Sequence, residues 1–238
     1  MTDPVPWLRS LFFNVGWYAG SAVIAILGAP ILLLPRRAVV AWSRFWIRFV
    51  LWWLRLTVGL THRVSGRENL PPGPCIIASK HQSSWETMAY TVLFDDAAIV
   101  LKRELVFIPI VGWAMARAGN ITVARGDGSR ALRGLVRQAQ ARIEAGRSIL
   151  IFPEGTRSKT GELAEFKPTT GYLSLTHDVD ILPMYIEGAY DVLPKGAVIP
   201  KGRELKVRIG PSLRVDSLRK QVEGMAKSEA YRVVTRAA

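Results

Sequence analysis

A histidine and a glutamate separated by four residues, His81 and Glu86, stand in the run Ser79-Lys80-His81-Gln82-Ser83-Ser84-Trp85-Glu86. Imidazole titrates near neutrality, so it can take a proton from an attacking hydroxyl, and a carboxylate within reach can fix its tautomer and stabilise the imidazolium. The run follows an apolar stretch with strand character, and a histidine leaving a strand end sits where α/β folds usually keep their reacting groups. By spacing alone, Ser83 and Glu86 also satisfy a capping box and need do no more than start a helix.

A second apolar run, residues 148–152, opens into Phe152-Pro153-Glu154-Gly155-Thr156-Arg157-Ser158. Gly155 lets the backbone approach a ligand closely, and Arg157 offers a planar donor fork suited to phosphate. Taken alone this is an ordinary turn with a surface arginine. A third piece, Gly119-Asn120-Ile121-Thr122-Val123-Ala124-Arg125, is another strand ending in an arginine, which by itself is an edge-exposed charge. Leu182-Pro183 precedes a fourth apolar stretch.

The elements that must position these residues have α/β texture from about residue 63 onward. Strands are expected over residues 75–79, 98–101, 120–124, 148–152, 181–186 and 204–209. Between them Ala131, Leu132, Leu135, Val136, Ala139 and Ile143 recur at helical spacing, with Arg130, Arg133, Arg137 and Arg142 largely on the other side. The expected fold is a mixed, mostly parallel β-sheet flanked by helices and preceded by an N-terminal two-helix membrane-associated segment. The division falls at residues 1–62 and 63–238.

That N-terminal segment begins with residues 11–35, a run free of charged side chains between Arg9 and Arg36-Arg37 and about as long as a bilayer core requires. It is too long for a cleaved signal and stays on the protein. Gly28-Ala29-Pro30 interrupts it, and a proline inside a helix bends the axis, so spanning the bilayer and dipping into one leaflet both remain open. Residues 38–60 carry Arg44, Arg48 and Arg55 near one helical face among Trp42, Phe45, Trp46, Phe49, Trp52 and Trp53, the pattern of a helix at headgroup level. Six of the eight tryptophans fall within the first 53 residues, and indole prefers the membrane interface. Arg36, Arg37, Arg44 and Arg48 place this end, and the domain after it, on the cytoplasmic face of the inner membrane by the positive-inside tendency.

Composition narrows the rest. With 49% hydrophobic and 21% charged residues the chain is not an extended disordered one. Its net charge of +13 attracts phosphates, whether of nucleic acid, of anionic lipid or of an acidic substrate. No nucleic-acid-binding module accompanies the charge. Cys75 is the single cysteine, so no intrachain disulfide forms. The three histidines, His62, His81 and His177, lack ligand spacing, and no metal is expected.

In this order and spacing the pieces resemble the glycerolipid acyltransferase family, in particular the bacterial 1-acyl-glycerol-3-phosphate acyltransferases. His81 to Glu86 takes the place of the family's His-x4-Asp motif, Gly119 to Arg125 is similar to its second motif, Phe152 to Ser158 matches the third nearly letter for letter, and Leu182-Pro183 is similar to the fourth. The stretch Lys102-Arg103-Glu104-Leu105, followed by Ile108-Pro109 and Gly112-Trp113, also resembles family sequence. The resemblance covers residues 64–210. It implies direct transfer of a fatty acyl group from an acyl thioester, acyl-CoA or acyl carrier protein as co-substrate with no further cofactor, to the hydroxyl of lysophosphatidic acid at a lipid bilayer. It further implies His81 as general base oriented by Glu86, an acceptor site shaped by Glu154, Gly155 and Thr156, and a phosphate held by Arg125, Arg157 and Lys102. Related acceptors, glycerol 3-phosphate or a lyso-aminolipid, would share these motifs, and a non-catalytic anionic-lipid-binding protein would share the basic face. Glu86 departs from the usual aspartate by one methylene, which a small helix shift can absorb. Thr122 and Ala124 depart from bulkier or acidic residues in the second motif.

Overall fold

The computed structural model describes residues 5–124, 128–157, 165–189, 192 and 203–238. Two apolar helices lead: α1 (Val5–Gly28) and α2 (Arg36–Val58), joined through a 3-10 turn at Ala29–Leu33 and packed against each other. The interruption falls where the sequence places it. α1 stops at Gly28, and Pro30, which has no N–H to donate, sits in the first turn of the 3-10 segment where none is needed.

The pairing of residues 13 with 53, 21 with 46 and 28 with 42 makes the two helices an antiparallel hairpin. Glycines of α1 seat rings of α2: a methyl on Gly16 would stand 2.4 Å from the Trp53 ring, one on Gly20 2.8 Å from Phe49, and one on Gly28 1.9 Å from Trp42 Nε1. The Trp53 indole N–H donates to the Phe13 carbonyl at 3.1 Å and that of Trp46 to Ser21 Oγ at 2.9 Å. Several α2 aromatics therefore serve the hairpin, where the sequence suggests a headgroup-level ring; Phe45 and Trp52 do face outward.

The opposite stripe of α2, with Val39, Ile47, Val50, Leu54 and Val58 buried, packs on the α/β domain. Each fully buried aliphatic side chain contributes about 1.5–3 kcal/mol, which outweighs any propensity difference along the helix. The arginines divide as well. Arg36 pairs with Asp96 and donates to the Ala118 carbonyl at 3.0 Å, and Arg44 reaches Asp95 at 3.3 Å, while Arg48 and Arg55 stay exposed.

The domain is built on β1 (Thr61–Ser65), β2 (Ile76–Ser79), β3 (Ala98–Lys102), β4 (Ile121–Val123), β5 (Ile149–Ile151), β6 (Ile181–Glu187) and β7 (Glu204–Ile209). They lie in the order β1-β7-β6-β2-β5-β3-β4. Among the described residues all pairings are parallel except that of β6 with β7. The sheet is thus mixed and mostly parallel, as expected. The six expected strands appear, shortened by one or two residues at most or extended by one. β1 was not expected: Thr61, His62 and Arg63 are exposed and carry no apolar alternation, and only pairing with β7 defines them. It begins at Thr61, so the division at residues 62 and 63 falls inside a strand.

Helices α3 (Ser84–Leu93), α4 (Val111–Arg117), α5 (Gly128–Glu144), α6 (Thr169–His177), α7 (Val215–Gln221) and α8 (Lys227–Ala237) cover the sheet. Strands β2 and β5 are buried on both faces, which explains their unbroken apolar runs. Ile77, Leu150 and Leu182 join Trp85 and Tyr90 of α3 and Leu54 of α2 in one core, while Ile76, Ile149 and Ile181 join Leu135 of α5, Leu173 of α6 and Val234 of α8 in the other.

Candidate active site

Neighbouring strands β2 and β5 send their chains to opposite faces, β2 into α3 and β5 towards α6. Such a switch point leaves a crevice beyond the carboxyl ends of the strands, where α/β proteins bind ligands. By register Ala78 is level with Ile151, so the residues that follow, His81 and Glu154, emerge side by side. Lys102 ends β3, the next strand on the far side of β5, and lies exposed at the same edge.

His81 Nδ1 lies 3.0 Å from Glu86 Oε1. The same oxygen accepts the backbone N–H of Ser83 at 2.7 Å and that of Gln82. The capping box and the His81–Glu86 contact therefore coexist: Ser83 caps the first turn of α3 through the Trp85 N–H at 3.1 Å, and Glu86 closes the box while holding the imidazole. Glu86 thus folds back across the turn and brings one oxygen to all three donors. A carboxylate only accepts, so Nδ1 carries the proton and the lone pair resides on Nε2. Glu86 is fully buried, whereas the His81 side chain is 16% exposed, leaving the ring within reach of a substrate.

Two contacts from the second segment fix the histidine further. The His81 backbone N–H donates to Glu154 Oε1 at 3.1 Å, and the Phe152 ring stacks on the imidazole with centroids 4.1 Å apart and planes 22° from parallel. Glu154 is buried, and its other oxygen has no hydrogen-bond partner among the described residues. Beneath them the Tyr90 hydroxyl bonds Ser79 Oγ at 2.5 Å, and burial pushes its pKa well above the ordinary 10.0, so it serves as a neutral hydroxyl.

Gly155 adopts φ +66°, in the left-handed region, so the turn requires glycine. A methyl there would also stand 2.8 Å from Lys167 Nζ. Lys167 is joined to the turn by its N–H donating to the Pro153 carbonyl at 2.9 Å. Thr156 and Arg157 follow, both exposed. Lys102 thus ends β3 at the same edge as the histidine–carboxylate pair, and Arg157 and Lys167 belong to the turn that follows β5. Arg125, expected to join them, lies outside the described residues; β4, whose end it follows, is the strand next to β3. Sequence reasoning passed over Lys167 and the stacking role of Phe152, since only the turn's path brings residue 167 back to 155.

An apolar cavity of about 150 Å³ lies between the α1–α2 hairpin, α3, α4 and β3, lined by Ile24, Trp46, Met88, Leu101, Ile110 and Met115 among others, and it touches Thr87 beside Glu86.

Fold and site together define an α/β protein with a histidine–carboxylate pair at a topological switch point. This chain belongs to the acyltransferase family, whose model matches residues 61–187. It is 36% identical over 171 residues to a 1-acyl-sn-glycerol-3-phosphate acyltransferase of Pseudomonas aeruginosa, covering 72% of this chain and 66% of that one. A chloroplastic 1-acyl-sn-glycerol-3-phosphate acyltransferase of Brassica napus is 28% identical over 179 residues, 74% of this chain and 51% of its own length. The chain thus spans about half to two thirds of these curated relatives. In fold it matches the crystal structure of the 1-acyl-sn-glycerophosphate acyltransferase from Thermotoga maritima, with a TM-score of 0.76 at 23% identity over 98% of this chain and 93% of that one.

Proposed function

We propose that this protein transfers a fatty acyl group from an acyl thioester to the sn-2 hydroxyl of 1-acylglycerol 3-phosphate, giving phosphatidic acid. The observation that carries this reading is the His81–Glu86 pair at the strand edge, with Lys102 exposed at the end of a neighbouring strand. A thioester is already activated, so no acyl-enzyme is needed. His81 Nε2 takes the proton of the acceptor hydroxyl as its oxygen attacks the thioester carbonyl; the intermediate collapses, the C–S bond breaks, and the departing thiolate takes the proton from the imidazolium. Glu86 stabilises that imidazolium. Glu154 and Gly155 shape the turn that faces the acceptor. Arg157, with Lys102, Arg125 and Lys167, holds its phosphate, and Thr156 lies between. Apolar lining suits the cavity beside α3 to hydrocarbon. The donor is acyl-CoA or acyl carrier protein, both acidic partners for a chain of net charge +13.

The site works at a membrane. The stretch Trp7–Leu33 is long and apolar enough to cross one, with a mean hydropathy of 1.7. The return of the chain through α2 equally suits a hairpin set in one leaflet. On this reading the α/β domain faces the cytoplasm at the inner membrane, with Arg37 and Arg48 towards the headgroups, a side supported by the positive-inside tendency of Arg36, Arg37, Arg44 and Arg48.

An acceptor panel tests the reading: lysophosphatidate, glycerol 3-phosphate and a phosphate-free lysolipid, offered with an acyl thioester to purified protein in liposomes. Lysophosphatidate is expected to be converted best, and Arg157→Ala to raise its KM by about 10-fold or more, the value of a charge-assisted hydrogen bond. Preference for the phosphate-free lysolipid would remove the phosphate role, and turnover of glycerol 3-phosphate alone would move the acceptor.

A further inference from the structure

The connection between β3 and α4 turns an apolar knuckle outward from the α/β domain. Phe107 is 71% exposed, Ile108 45% and Trp113 52%, with Pro109 exposed between them. Large apolar side chains held together in water mark an interaction surface. The knuckle is built rather than frayed. Gly112 N–H donates to the Ile108 carbonyl and Ala114 N–H to the Ile110 carbonyl, each at 2.8 Å. Ile110, β-branched, is held at φ +60°, and a methyl on Gly112 would meet the Leu105 carbonyl at 2.2 Å. The backbone is committed to a strained, close-packed turn whose outcome is to present Phe107 and Ile108 outward.

We propose that residues 107–109 and Trp113 insert into the bilayer interface, so that the α/β domain holds the membrane by its own apolar contact beside the α1–α2 hairpin. Continuity identifies the occupant as lipid. α4 packs on α2 and on the 3-10 turn at Ala29–Leu33. Arg117, one turn beyond Trp113 on the same face of α4, donates to the Leu34 carbonyl at 3.1 Å. Leu33 and Leu34 are exposed and continue into the outward apolar face of α1. Charge agrees: residues 102–117 carry Lys102, Arg103 and Arg117, all exposed, against Glu104, as an anionic headgroup layer favours. The insertion also has a use. Lys102, at the edge of the site, directly precedes the segment that leads to Phe107, so an inserted knuckle brings that edge to the depth of a lipid acceptor's headgroup.

The inference rests on the membrane reading of α1, and the test separates the two. Cys75 is buried and its thiol is pushed up to about 11, so a cysteine introduced at the surface is labelled selectively. The full chain carrying Phe107→Cys, Ile26→Cys or Glu223→Cys is labelled with an environment-sensitive fluorophore. It is then reconstituted into phosphatidylcholine–phosphatidylglycerol vesicles with or without lipids spin-labelled on the acyl chain. Quenching is expected at positions 26 and 107 and not at 223, on α7's side of the sheet. Quenching at 26 alone overturns the inserted knuckle and leaves the membrane reading standing. A probe at 107 that is desolvated but unquenched by lipid shows a second copy covering the knuckle, which also overturns it. If neither 26 nor 107 is quenched, both readings fall.

Discussion

At the scale of residues, Glu86 holds two tasks through one oxygen: it completes the cap of α3 and it fixes the imidazole of His81. The two can be separated. In Glu86→Gln an amide oxygen still accepts from the Gln82 and Ser83 N–H groups, but the charge facing the imidazolium is gone. Turnover is expected to fall about 100-fold or more with little change in thermal stability, whereas Glu86→Ala loses activity and, with the cap, about 1 kcal/mol. Steady-state rates beside thermal midpoints check both, and a Glu86→Gln enzyme with unaltered turnover would reduce Glu86 to a cap. The pair, the arginine turn and the glycine were legible from residue types at fixed spacing. The Phe152 stack and Lys167 were not, because no local pattern encodes a contact made by a returning chain.

Among the elements, the strands read best where burial on both faces writes long apolar runs, as in β2 and β5, and worst in β1, whose polar residues gain their strand character only from β7. The hairpin was legible as two apolar helices, while its packing was not, since a tryptophan facing lipid and one seated on a glycine look alike in sequence. Filling one of those seats tests the packing. Gly28→Val places carbon inside the Trp42 ring's space, and overpacking of about 1–3 kcal/mol is expected to lower the thermal midpoint in detergent by several degrees, at roughly 2–4 °C per kcal/mol. An unchanged midpoint would show that the helices are not seated this way.

Where α6 ends against α5, His177 donates through Nδ1 to Gln140 Oε1, and its Nε2 is buried with no hydrogen-bond partner among the described residues. Because an amide oxygen accepts, Nδ1 carries the proton. Burial lowers the His177 pKa from 6.5, against the opposing pull of Glu144. The unfolded chain therefore takes up a proton first as pH falls through 6.5 towards the lowered value, and stability drops over that window. Melting curves between about pH 7.5 and about pH 5 are expected to show a steeper acid loss for the native chain than for His177→Gln. Parallel curves would remove this residue from the acid limb.

Over the whole molecule, composition announced a basic protein with an apolar N-terminus, and it could not say that the hairpin shares a core with the α/β domain. It does: Phe13, Leu54 and Val58 belong to the same cluster as Trp85, Leu150 and Leu182. Arg36 and Arg44, which the sequence shows only as positive charge at the end of the apolar run, are joined to Asp96 and Asp95 just beyond α3. The hairpin and the site are thus parts of one packed body, which gives the proposed chemistry a fixed position relative to lipid. The most direct test of that chemistry compares the native chain with His81→Ala in the same liposomes, following conversion of lysophosphatidate and an acyl thioester to phosphatidate while vesicle binding is measured in parallel. A loss of about 100-fold to 10,000-fold in turnover with binding retained is the predicted result. Phosphatidate formed by His81→Ala at the native rate would contradict it.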